Sequence, residues 1–315
     1  MTNPLVTVED LVFEYPSNRA LHGVGITIAR AAITALVGPN GAGKTTLIRC
    51  LAGLQEPFSG RILIDGIDCL DHPHQIHNRL GYLSDSFGLY EDLSVRQCLT
   101  YVAWAQGCLP NETDRLVRTA AERLDIADRL EQKAGALSRG LKQRLAIAQA
   151  IIHQPEFLIL DEPASGLDPD ARFRLSNLLV KLKDDGMTLL VSSHILSELE
   201  DYATHTIVIR GGRIASQGSM KGPMDGPSAT VENERLTITL IAPDPRLEKV
   251  LSAGVGISAV RVEGRTGHCR ITGGEAARCD LLKNLLDAGL AVIDFRVEGT
   301  RLRDTYMATL NGDSE

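Results

Sequence analysis

The chain has 315 residues, 43% hydrophobic and only 4% aromatic, with 33 basic against 40 acidic side chains and a net charge of -7. That length is more than one core usually needs, so two domains, or one large domain with an appendage, are expected. The acidic balance gives no electrostatic footprint for nucleic acid, no stretch approaches the roughly 18 to 20 uninterrupted apolar residues that span a bilayer, and the opening MTNPLVTVED reads as neither signal peptide nor basic presequence.

Short alternating runs, LVTVEDLVFEY and then GVGITI, read as strands. ITALVG reads as a buried strand, followed by GPNGAGKT (Gly38 to Thr45) and the helical run TLIRCLAGL. This is the pattern G-x-x-x-x-G-K-T in the strand, loop and helix context that phosphate binding requires. The loop Gly38, Pro39, Asn40, Gly41, Ala42, Gly43 turns tightly at its glycines and presents backbone amides to phosphate oxygens, reinforced by the positive end of the helix beginning near Thr45. Lys44 supplies a positive charge, Thr45 a hydroxyl for Mg2+, and Thr46 a further donor toward the phosphates.

RILIDGIDC reads as a further strand, and HPHQIHN as a polar loop or helix start; His72, His74 and His77 lack the converging fourth ligand of a metal site. From about Val95 to Arg129, helical spacing broken at Leu109-Pro110-Asn111 predicts a helical insertion. A helix from about Arg139 to His153, the strand FLILD, a helix near Asp170 to Asp185, the strand TLLVSS, the helix ILSELEDYA and the strand THTIVIRGGRI follow. Such alternation argues for a mostly parallel sheet covered by helices. Between Gly211 and Pro227 the composition shifts to GGRIASQGSMKGPMDGP and reads as a linker. Beyond it the order β-α-β-β-α-β predicts a ferredoxin-like module, with RLRDTYMATL as a short closing helix. The expected domains are a nucleotide-binding domain over 1–218 with its helical insertion at about 95–150, a linker over 219–230, and a small α+β domain over 231–315. The 6 cysteines, Cys50, Cys69, Cys98, Cys108, Cys269 and Cys279, form no C-x-x-C pair and are expected as reduced thiols.

Two later motifs say what the phosphate loop is for. FLILDEP places Asp161 at the carboxyl end of a buried strand, where it can hold Mg2+ or its water, and puts Glu162 beside it as a general base for an attacking water. In ALSRGLKQRLAIAQAII, Ser138 caps a helix whose first turn contains Gly140, so hydroxyl and free amides form a second anion-binding end.

With these motifs in this order, the chain resembles the ATP-binding cassette family of ABC transporters over about Leu5 to Gly218. The family signature L-S-G-G-Q reads here Leu137, Ser138, Arg139, Gly140, Leu141, followed by Lys142, Gln143 and Arg144. The resemblance implies an α/β P-loop NTPase cassette with a mostly parallel core sheet, an antiparallel β subdomain and a helical insertion, here joined to the ferredoxin-like α+β module. It implies ATP and Mg2+ as ligands, and a head-to-tail pair of cassettes, from a second copy or a related subunit. Ser138 and Gly140 would then act in trans on the γ-phosphate held by the other phosphate loop. Ser165, Gly166, Leu167 and Asp168 match the D-loop that crosses the dimer seam, His194 the switch histidine, and Tyr15 the aromatic residue that stacks on adenine.

One position departs from the family. In LGYLSDSFGLYEDLSV, Asp85 stands where many cassettes carry the Q-loop glutamine; a carboxylate can bind Mg2+ or its water but adds negative charge and cannot donate a hydrogen bond. LSRG-x-KQR, FGLYEDLSV and RLRDTYMATL look most like the exporter branch for drugs, lipids and polysaccharides, whose membrane subunits are separate chains. The implied function is an ATPase subunit held peripherally on the cytoplasmic face of the cell membrane by integral membrane partners, with no nucleic acid involved. The alternative is a soluble cassette without a membrane partner. Translation factors of that kind carry two cassettes and basic linkers, and DNA-repair ATPases a long coiled coil; one phosphate loop, no sustained heptads and a negative charge fit neither. A third reading, in which the carboxyl-terminal module senses a ligand or aids dimerisation, modifies the first.

Overall fold

A computed structural model of the chain describes residues 3–193, 199–220, 224–225 and 234–298. Contacts divide it into two compact units, Met1–Ser219 and Met220–Glu315, each with its own hydrophobic core.

The first unit runs β1 (Val6–Tyr15), β2 (Asn18–Ile28), β3 (Ile33–Val37), α1 (Lys44–Leu51), β4 (Ser59–Ile64), β5 (Ile67–Asp68), α2 (Pro73–His77), β6 (Leu80–Leu83), α3 (Val95–Ala105), α4 (Pro110–Arg123), α5 (Arg139–Ala150), β7 (Phe157–Asp161), α6 (Pro169–Asp184), β8 (Thr188–Ser193), β9 (His205–Arg210) and β10 (Arg213–Ser219). Alternating burial in β1 matches one covered face, and the antiparallel sheet β2-β1-β4-β5 lays that face on the core. In β3, β7 and β8 every residue is buried, as expected of strands covered on both sides. They lie in the order β10-β9-β3-β8-β7-β6, parallel throughout except that β10 runs antiparallel to β9. Val37 faces Ser193 and Asp161 faces Ser192, so the carboxyl ends of β3, β8 and β7 finish together. Ligands bind along that edge in open α/β sheets.

Two turns differ from the sequence expectation for the same reason. RILIDGIDC is a hairpin of β4 and β5, and the first part of the stretch read as a linker is strand β10. Asp65 and Gly66 have φ of 52° and 76°, Gly211 and Gly212 of 51° and 71°. Paired positive φ values make tight two-residue hairpin turns, so these glycines return the chain on itself instead of loosening it. Of the rest of that stretch, β11 (Met224–Asp225) is described, whereas 221–223 and 226–230 lie outside the described residues.

The helical insertion starts at Ser94, which forms a capping box with Gln97. The expected break at Leu109-Pro110-Asn111 is the start of α4, with Pro110 in its first turn. His74 and His77 fall in the short helix α2, and among the described residues no group of three or more His, Cys, Asp or Glu converges as a metal cage. All six cysteines are free thiols, and no helix among the described residues is long and apolar enough to cross a membrane.

The second unit contains β12 (Glu234–Leu240), α7 (Arg246–Ala253), β13 (Ile257–Glu263), β14 (Thr266–Ile271), α8 (Gly274–Asp287) and β15 (Val292–Glu298). Its antiparallel sheet β13-β14-β12-β15 has the ferredoxin-like order, with both edge strands reached through a helix. Leu236, Ile238, Leu247, Leu251, Leu281 and Leu285 fill its core. The closing helix expected at RLRDTYMATL lies outside the described residues.

Separate cores predict separable stabilities. Phe157→Ala, at a fully buried ring that opens β7, should cost the first unit about 3 to 5 kcal/mol in urea unfolding, and Leu285→Ala should cost the second unit about 2 to 5 kcal/mol.

Candidate nucleotide site

The phosphate loop leaves β3 under close backbone contact. A Cβ on Gly38 would collide with the Ile209 carbonyl oxygen of β9, and one on Gly43 would come within 3.0 Å of the Ala20 carbonyl oxygen. Gly41 and Gly43 also have φ of 79° and 105°, values that glycine adopts without strain. Within the loop Ala42 N–H donates to the Pro39 carbonyl at 3.1 Å, and Gly212 N–H reaches across from the β9–β10 turn to the Ala42 carbonyl at 2.9 Å. The loop is therefore built before any ligand arrives, with α1 beginning at its end and aiming unpaired amides toward it.

Lys44 folds over this loop, its Nζ donating to the carbonyls of Gly38 at 2.7 Å and Pro39 at 3.1 Å. Burial lowers its pKa from the ordinary lysine value, and the negative charges of Glu162 and Asp161 pull it back up. A buried ammonium whose acceptors among the described residues are loop carbonyls is well placed to gain from a phosphate. Tyr15 ends β1 beside the loop, 37% exposed, with its hydroxyl 3.3 Å from Thr46 Oγ1 and its ring edge-on to Phe13. An exposed ring there offers a stacking face, which a core tyrosine would not.

Opposite the loop, Asp161 ends β7 at 2% exposure. Its Oδ1 accepts a 2.5 Å hydrogen bond from Ser192 Oγ, and the Thr45 hydroxyl also bonds to its carboxylate. Ser192 Oγ in turn accepts the Glu162 N–H at 2.9 Å, so one buried hydroxyl on β8 orders both acidic residues. Burial pushes the Asp161 carboxyl above its usual range; the Ser192 bond opposes this, the negative charge of Asp85 adds to it, the Thr45 bond opposes it, and Glu162 adds again. Asp85 sits on the loop after β6, where its carboxylate accepts the Ser86 N–H at 2.7 Å. Glu162 has φ of 48°, a conformation costing roughly 1 to 3 kcal/mol outside glycine, and it turns the chain sharply out of β7.

These residues fit a magnesium ion. Thr45 and Asp161 already share a hydrogen bond, and the negative charges of Asp85 and Glu162 help raise the proton affinity of Asp161, a setting that a cation would relieve. Among the described residues too few protein ligands converge for a closed cage, which suits an ion that keeps waters and takes phosphate oxygens.

A second cluster lies at the start of α5 and α6. Ser138 is the N-cap of α5, its Oγ accepting the Leu141 N–H at 3.4 Å. A Cβ on Gly140 would lie 3.2 Å from Ala171 Cβ, so the first turns of the two helices touch. Asp168 caps α6 through Ala171 N–H at 2.8 Å, Leu167 is buried beneath, and Arg139 reaches from α5 to donate to the Ser165 carbonyl at 3.1 Å beside Gly166. Among the described residues no hydrogen bond joins Ser138 or Gly140 to the phosphate loop of the same chain. His194 lies outside the described residues. Sequence reasoning overlooked Ser192, whose one signal was a hydroxyl ending the buried run TLLVSS, and passed over Arg139 as a mere variant of the signature.

The chain is similar to several known proteins. The family profile described as ABC transporter matches residues 21–165. The ABC transporter ATP-binding protein NatA of Bacillus subtilis is 32% identical over 64% of this chain and 83% of its own. The daunorubicin resistance ATP-binding protein DrrA3 of Streptomyces coeruleorubidus is 30% identical over 99% of this chain and 98% of its own. Among solved structures, cbiO1 from Clostridium perfringens, part of the ABC transporter complex cbiONQ, aligns with a TM-score of 0.65 and 30% identity over 69% of this chain and 89% of that one.

Ser192→Ala would remove one of the two hydroxyl donors to Asp161 and take from the Glu162 N–H its bond to Ser192. Turnover of ATP should fall about 10- to 100-fold in a steady-state assay, while nucleotide affinity at the glycine loop changes much less.

Proposed function

The chain belongs to the ABC transporter family as an ATP-binding, ATP-hydrolysing subunit, and we propose that it powers an exporter through ATP-driven pairing of two cassettes. The observation that carries this reading is the division of the site. Lys44, Thr45, Asp161 and Glu162 stand in one cluster and Ser138 and Gly140 in another; the Ser165 N–H donates to the Glu162 carbonyl at 3.1 Å, but among the described residues no hydrogen bond joins Ser138 or Gly140 to the phosphate loop. A phosphate bound by the first cluster and capped by the second requires two chains, head to tail.

In that arrangement the loop amides and Lys44 hold the β- and γ-phosphates, Tyr15 stacks on the adenine, and Ser138 with the amide of Gly140 from the second cassette completes the γ-phosphate shell. Glu162, turned out of β7 and fixed through Ser192, accepts a proton from the attacking water, with His194 aligning it. Thr45, Asp161 and Asp85 hold Mg2+, which when bound offsets charge on the phosphates. Nucleotide fills the seam, so closure follows ATP and opening follows its loss, giving the two states that drive a partner.

The relative named for daunorubicin resistance favours export and separate membrane subunits over a soluble cassette. With no spanning helix among the described residues, attachment to the cytoplasmic face of the membrane falls to those partners. Exposed aromatic rings downstream of Asp85 supply a surface for them: Tyr90 packs edge-on to Tyr101, and Trp104 follows on the same helix α3. The second unit serves as an accessory domain.

Glu162→Gln tests the paired reading. Its turnover should drop by at least about 100-fold while ATP and Mg2+ convert it from monomer to dimer in light scattering; a variant that binds ATP yet stays monomeric alone, and shows no dimer at any concentration, would contradict the proposal. Asp85→Gln should raise the Mg2+ concentration needed for half-maximal nucleotide binding, because it removes a charged ligand.

A further inference from the structure

Helix α5 begins with a cation where its own electrostatics disfavour one. Arg139 is the first residue of the helix, at the positive end of its dipole. Neighbouring cations are paired, Lys142 with Glu91 and Arg144 with Asp125, yet among the described residues no carboxylate lies within ion-pair distance of Arg139. Its partner is backbone instead: Nη2 donates to the Ser165 carbonyl at 3.1 Å, across 26 residues of sequence. The guanidinium also covers Gly166, where an added Cβ would collide with it. Gly166 has φ of 68°, so the turn itself disfavours a side chain, and an added one would have to displace the guanidinium.

The contact joins two segments that also meet at Gly140 and Ala171. On one side is the Ser138 cap of α5; on the other, two residues beyond Gly166, Asp168 caps α6. Glycine in place of Arg139 would leave the loop Ser165 to Asp168 with no side chain from the signature holding it.

We propose that Arg139 is a positioning residue that locks the loop Ser165 to Asp168 onto the Ser138 cap, so that both meet the opposing cassette as one preordered piece. The inference rests on the paired reading above. A planar guanidinium suits this role: it donates through one nitrogen while the rest of the group covers a glycine, which an ammonium does only in part. Ordering the loop before encounter removes an entropic cost from closure, so the effect belongs to dimer formation and turnover and not to nucleotide capture by the glycine loop.

The test uses the full chain carrying Glu162→Gln, with dimerisation in ATP and Mg2+ measured by sedimentation. Adding Arg139→Ala should weaken the dimer about tenfold, leave ATP affinity of the monomer unchanged, and in the Glu162 background lower kcat with little change in KM; Arg139→Lys should recover part of the loss. Gly166→Ala separates the brace from backbone strain, because strain at a positive φ is common to both backgrounds. It should weaken the dimer several-fold more when Arg139 is present than when it is alanine. Equal dimerisation of the parent and Arg139→Ala, or purely additive effects with Gly166→Ala, would overturn the brace while leaving pairing intact. Failure of the parent itself to dimerise would overturn the paired reading, and the brace with it.

Discussion

At Gly38 the chain leaves the central strand β3 so close to β9 that a single methyl group would strike the Ile209 carbonyl oxygen. That approach fixes the phosphate loop against the sheet, and the Gly212 N–H bond to the Ala42 carbonyl pins its far side. Backbone amides can serve as an anion site only when their directions are set in advance, and here packing sets them. The parallel sheet supplies the remaining geometry: because β3, β8 and β7 end at one level, Lys44, Ser192 and Asp161 arrive at the same place from distant parts of the sequence. The cost is a buried carboxylate and a buried ammonium. Each is tolerable because loop carbonyls, hydroxyls and opposite charge surround it.

Much of this was legible in the sequence. The loop motif lay between a continuous apolar run and a helical one, and both runs became the elements their patterns imply. The order of elements after residue 234 was enough to expect a ferredoxin-like sheet, because only a few connections of four strands and two helices bury both helices on one face. Failures came where one residue type serves two purposes. Gly211 and Gly212 signalled looseness in composition, whereas their positive φ values close a hairpin. Ser192 carried no spacing signal, since its importance comes from lying opposite Asp161 on the next strand, a relation that exists only once the sheet forms. Arg139 was visible as a departure from the signature, but its partner Ser165 was not, because a backbone carbonyl leaves no mark in a sequence.

The two clusters differ in character. Lys44 and Asp161 are buried, crossed by hydrogen bonds and set by the strands that precede them; the caps of α5 and α6 are exposed, with Arg139 reaching from one to the loop before the other. A rigid half that binds nucleotide and an outward half that meets it from another molecule is the division of labour a clamp needs. Charge differs between them as well: Asp85, Asp161 and Glu162 sit with the loop, while the signature end brings a helix dipole, a hydroxyl and a guanidinium beside the Asp168 cap.

Complementation between two inactive chains tests this composite site most directly. One chain carries Lys44→Ala and cannot hold phosphate; the other carries Ser138→Arg and cannot cap it. Each alone should be without ATPase activity, and mixing them should restore it, because one mixed dimer contains one site built from an intact loop and an intact cap. A mixture as inactive as its components, though the two chains demonstrably associate, would contradict the account.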